Sequence, residues 1–174
     1  MTDTFTLYLD LQNVINSPEL PQYAQIEAWI RQTLIIETEP QSPQAEYELT
    51  IRVVDREEIR TLNNTYRHKN KATNVLSFPY EGFSSEAFNF DDALMDTQEI
   101  MSLALLGDLV ICHDIVVQEA QEQNKPLIAH WAHMVVHGVL HLKGYDHIKD
   151  DEAETMAALE VAVLQHFAIA DPYQ

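Results

Sequence analysis

Residues 137–147 read His-Gly-Val-Leu-His-Leu-Lys-Gly-Tyr-Asp-His, and no other stretch restricts the fold as strongly. His137 and His141 are four apart, so on a helix they share one face, one turn apart. Gly144, three residues later, suits a left-handed helix end. The chain can then turn back and bring His147 to the ion that the first two imidazoles share. Three neutral imidazoles leave a zinc ion its full charge and an open position for water, as catalytic rather than structural sites do. Water bound there ionises near a pKa of about 7. The fold must therefore carry a helix that ends in a glycine turn at the metal site.

The three histidines and the glycine stand in the register of the metzincin proteases, H-E-x-x-H-x-x-G-x-x-H. Gly138 occupies the position at which those proteases hold their general-base glutamate. The ligand spacing is kept and the protease base is missing, so a metzincin-like metalloprotease is an alternative with one feature against it. His133 lies four before His137 on the same face and fits either a partner that orients a ligand or a hydrogen-bonded core histidine. Asp146 and Asp108 are candidates for a general base, and Asp146 could instead orient a histidine. His130 and His166 read as surface or helix-end residues, His113 as a loop residue, Cys112 as a small buried hydrophobe and Met156 as core packing.

Charge sharpens the choice of partner. The chain has 174 residues with 28 acidic and 10 basic side chains, a formal net charge of −18. Taken whole, that argues against nucleic acid, because phosphate needs a basic surface. Taken by position, it does not. Six of the ten bases fall in residues 52–71, ending in Arg67, Lys69 and Lys71, against only Asp55, Glu57 and Glu58. Residues 81–110 hold seven acids and no base, and six more acids follow Lys149. The expected surface repels RNA except at one small basic approach, so general RNA binding should be weak and salt-sensitive.

The length suits one domain over residues 1–174. One cysteine excludes an internal disulfide framework and a four-cysteine zinc ribbon. No apolar run approaches the roughly 20 residues that span a bilayer, and the first residues lack the basic character of a signal or transit peptide, so the expected compartment is the cytoplasm, with no membrane partner. Alternating apolar residues predict strands over 5–11 and 47–54, and further strands are expected at 75–78 and 105–112. Helices are expected after Pro21, from Asp55 to Tyr66, over 115–123, over 126–142 and from about 150 to 167; Glu58 three residues after Asp55 resembles a capping box. Residues 80–100 read as a long acidic loop. The fold class is α+β: one mixed sheet of about four strands packed with about five helices.

The histidine run, together with Leu76-Ser77-Phe78-Pro79 and Gly107-Asp108-Leu109-Val110-Ile111-Cys112, resembles the bacterial YbeY family over nearly the whole chain. That resemblance implies a single-strand-specific, zinc-dependent endoribonuclease of rRNA maturation, acting at the 3′ end of 16S rRNA and in ribosome quality control. It implies His137, His141 and His147 as zinc ligands, with Ni2+ or another divalent ion as possible substitutes, and Arg67 as the catalytic arginine. An arginine offers phosphate a planar fork where charge builds during attack. Lys69 and Lys71 would hold the RNA backbone beside it. The implied partners are rRNA, the small ribosomal subunit and an assembly GTPase; no DNA is expected. A non-catalytic assembly factor, in which zinc only staples the fold, is the second alternative. The chain departs from the family at His68, where glycine is common, at Ala72, where proline is common, and at Asn74, where aspartate is common.

Overall fold

In the computed structural model, residues 5–37, 45–80, 103–145 and 149–174 are described. Among them the order is β1 (Phe5–Asn13), α1 (Tyr23–Glu37), β2 (Ala45–Val54), α2 (Arg56–Arg67), β3 (Val75–Pro79), β4 (Leu103–Cys112), α3 (His113–Glu122), α4 (Leu127–Leu142) and α5 (Asp150–His166). The strands form one sheet ordered β1-β2-β4-β3. β1, β2 and β4 run parallel, and β3 pairs antiparallel at the edge. The expected mixed sheet and five helices are therefore present. The acidic stretch expected as a loop lies, but for Tyr80, outside the described residues.

Strand alternation sends one set of side chains to each face of the sheet. Leu49, Ile51 and Val53 of β2 and Leu109 and Ile111 of β4 meet Ile26, Ile30 and Leu34 of α1, Trp131, Val135 and Val139 of α4, and Met156 and Leu164 of α5. On the opposite face Val54, Val110, Cys112 and Leu76 form a smaller core with Ile59 of α2. Asp55 caps α2 as its sequence suggests, accepting the Glu58 N–H at 2.9 Å. Its partner in the reciprocal half of a capping box is absent: the Glu58 carboxylate instead pairs with Arg52, at 2.8 Å.

Two histidines depart from their sequence reading. His130 is 2% exposed rather than on the surface, and burial lowers its pKa below the usual histidine range. His113 is also buried, as the first residue of α3, where its Nδ1 accepts the Trp131 Nε1–H at 3.1 Å. An unaccommodated indole N–H in this core would be costly, which explains a histidine beneath it. His166 is exposed at a helix end, and Cys112 and Met156 are buried, as expected.

Two glycines set how closely the layers approach. Gly107 has φ +131°, and a Cβ there would lie 2.2 Å from the Phe78 carbonyl oxygen, on the strand next to it. Gly138 packs α4 onto β4, where a Cβ would lie 2.8 Å from Leu109 Cδ2. Gly107→Ala should lower unfolding stability by more than about 1 kcal/mol in urea titration, because the backbone conformation and the space are both closed to a side chain. Wild-type stability in that variant would contradict the packing described.

Candidate metal centre and its cleft

The last turn of α4 places His137 and His141 side by side. Their Nε2 atoms are 3.0 Å apart and their rings meet edge to face, with centroids 4.5 Å apart. The helix then closes in a Schellman arrangement. Gly144 N–H bonds to His141 O at 3.0 Å, Tyr145 N–H bonds to Leu140 O at 3.1 Å, and Gly144 takes φ +98°. The helix thus ends in a turn at Gly144 and Tyr145; Asp146 and His147 lie outside the described residues.

A cleft of 730 Å³ opens at this turn, lined by His137, His141, Arg67, Lys69, Lys71 and Asn74 among others. α2 ends on its far side. His68 takes the left-handed conformation, φ 58°, and its N–H bonds to Asn64 O at 3.1 Å. Glycine suits that position best, and here histidine adopts the turn. Asn63, buried under the loop, donates to Lys71 O at 2.9 Å and fixes the segment that carries both lysines. Asn74 donates to the Glu119 carboxylate at 3.2 Å, a bond that an aspartate could not make while ionised.

Arg67 stands at the lip. Its Nη2 donates to Ser77 O at 2.7 Å, and its guanidinium lies 5.9 Å from the Phe78 ring centroid. Ser77 Oγ in turn lies 3.5 Å from Gly138 O, so the arginine, the edge strand and the histidine helix form one unit. Arg67 also borders a neighbouring cleft of 660 Å³, and it is there, not beside the histidines, that Asp108 lies.

Behind the histidines lies a residue that the sequence reading passed over. Glu160 of α5 is 0% exposed. Its Oε1 is 2.5 Å from His137 Nδ1, and its Oε2 is 3.0 Å from His133 Nε2 and accepts the Tyr173 hydroxyl. Burial alone would raise its pKa, but the hydrogen bonds from His133, His137 and Tyr173 outweigh that and hold it at about 2. His133 therefore serves this carboxylate from behind and does not line the cleft. The one available signal was position: Glu160 falls among Met156, Val163 and Leu164 on the buried face of an otherwise acidic, solvated helix.

The donor atoms of His133, His137 and Glu160 all lie within 4.8 Å of one another, close enough to hold a metal ion. The two Nε2 atoms on the cleft side offer a second arrangement. Tetrahedral zinc with Zn–N bonds of 2.0–2.1 Å sets two nitrogens roughly 3.3 Å apart, so a few tenths of an ångström of opening would admit it. Glu160, by accepting from Nδ1–H, favours the His137 tautomer whose Nε2 carries the lone pair. Gly138 faces Leu109, so a side chain at the protease-base position would enter the core and not the cleft. Glu160→Ala should cost about 3–5 kcal/mol of stability in the metal-free protein, since it strands three donors around a buried site. A loss under about 1 kcal/mol in denaturant titration would show that the carboxylate does not hold these groups.

The model of the endoribonuclease YbeY family matches residues 11–168. Among solved structures, the chain is similar to the solution structure of TM1509 from Thermotoga maritima, with a TM-score of 0.50 and 20% identity, covering 97% of this chain and 99% of that one. This second likeness speaks for the fold. With the histidine pair, the arginine and the family match over nearly all of its length, the chain belongs to the endoribonuclease YbeY family.

Proposed function

We propose that this protein is a metal-dependent, single-strand-specific endoribonuclease of rRNA processing, acting at the 3′ end of 16S rRNA and in ribosome quality control in the cytoplasm. Its ion, zinc or a substitute such as Ni2+, would be held by His137, His141 and His147. The observation that carries this reading is one cleft lined by two imidazoles together with Arg67, Lys69 and Lys71, in a chain of net charge −18. When bound, the ion supplies Lewis acidity at the scissile phosphate. The other work belongs to the side chains. Arg67, held at one nitrogen by Ser77 O, directs its remaining donors at a phosphate as negative charge builds on the phosphoryl oxygens. Lys69 and Lys71 hold the RNA backbone beside it. His133 and Glu160 hold His137 in orientation. The small ribosomal subunit and an assembly GTPase are the proposed partners, since a weak general RNA binder needs its substrate presented. Gly138 against Leu109 weighs against a protease.

Arg67→Ala should lower kcat/KM for a single-stranded RNA about 10²–10³-fold while leaving the bound metal in place, measured by steady-state cleavage and metal analysis. Cleavage at the wild-type rate would remove Arg67 from the reaction. Product ends decide the nucleophile: a 5′-phosphate with a 3′-hydroxyl excludes attack by the RNA's own 2′-hydroxyl. Random-sequence RNA should bind weakly at physiological salt, and tight binding there in filter assays would contradict the charge argument.

A further inference from the structure

Residues after α5 return over the seam between α4 and α5. Lys125 Nζ donates to Pro172 O at 3.1 Å, and Tyr173 N–H bonds to Asp171 Oδ1 at 2.8 Å, so a side-chain-closed turn presents the Tyr173 ring. That ring meets His133 edge to face with centroids 5.6 Å apart. Although Tyr173 is 57% exposed, its hydroxyl reaches the fully buried Glu160. The carboxylate thus receives three donors from two elements: His133 and His137 of α4, and Tyr173 of the returning segment.

We propose that Tyr173 is a positioning residue of the metal centre: its hydroxyl fixes the rotation of Glu160, and so holds His137 in the tautomer that offers Nε2 toward His141. The inference deepens the metal reading above and rests on it. A carboxylate has two oxygens and a broad terminal torsion. Here His133 and Tyr173 occupy Oε2, which leaves Oε1 for His137 Nδ1. Beside them lies a cleft of 470 Å³ bordered by His137, Met156, Glu160 and the largely exposed Tyr173. Without the hydroxyl, water entering there would compete for Glu160, and the Nδ1–H bond that selects the tautomer would weaken. Burial and the neighbouring carboxylate push the phenol above its ordinary range, so it remains a donor across the working pH.

Tyr173→Phe keeps the ring on His133 and removes only the hydroxyl. In the metal-free full chain, nitrogen-15 spectra of the His137 side chain should show mainly the Nδ1–H form in wild type and a gain of the Nε2–H form in the variant. Zinc affinity, measured by chelator competition, should fall about 10-fold or more. Lys125→Met, which releases Pro172 and leaves the hydroxyl intact, should shift both readouts the same way by less, and it keeps the test decisive should Tyr173→Phe melt early. Unchanged tautomer populations and unchanged zinc affinity in a folded Tyr173→Phe protein would overturn the proposal. A wild type that binds no zinc would overturn the metal reading instead, while the tautomer comparison would still decide the role of Tyr173.

Discussion

A carboxylate taken fully out of water must be matched by donors or be lost as a charge, and Glu160 is matched from every side. Desolvation of one ionised carboxyl costs several kcal/mol. The donors that offset it, from His133, His137 and Tyr173, come from the helix across the seam and from the segment that follows α5. That requirement locks α4 against α5 in one rotation and one register. It also determines what the other side of α4 can do. With Nδ1 of His137 committed to the carboxylate, the imidazole can offer only Nε2 toward the cleft, and His141 one turn later lies 3.0 Å from it. A buried ionic group of this kind is a means of specifying geometry more than a source of stability.

The close approach of the layers serves the same end. Gly138 lets α4 lie on Leu109, and Gly107 lets the edge strand β3 come in beside β4. Ser77, on that strand, then accepts from Arg67 and contacts Gly138 O. The two helices that frame the cleft, α2 and α4, each end in a left-handed residue, His68 and Gly144. The end at His68 leads into the segment of Lys69 and Lys71, and these lysines line the same cleft as the two imidazoles. A chain with a net charge of −18 can meet RNA only where such local geometry gathers its few bases. Weak general binding is the proposal that the same charge count, first read against any nucleic-acid role, now supports.

Much of this could be read from residue order alone, where a local pattern carries a local cause. Alternation placed the strands, Asp55 began α2, Gly144 ended α4, and the four-residue spacing put His137 beside His141. The match to the endoribonuclease YbeY family agrees with the resemblance carried by the histidine run and the two strand segments. What escaped depended on distant partners. Glu160 sits in a helix rich in solvated acids, and only its position among buried apolar residues set it apart. His113 is buried against Trp131, and His130 beside Glu119 and His133, contacts between elements or helix turns that no spacing rule encodes. Asp108 belongs to the cleft beyond Arg67 because β4 alternation turns it away from α4. Helix starts also shifted by a residue or two, as at α3, which begins at His113 and not at 115.

The proposed cleavage of RNA requires an ion at His137 and His141. The direct measurement is metal content of the purified protein, taken together with cleavage of a single-stranded RNA before and after chelation and zinc return. One bound divalent ion per chain, activity lost on its removal and regained on its return, and neither metal nor activity in His141→Ala, is the predicted result. Metal-free protein that cleaves RNA as fast as the loaded form would contradict it.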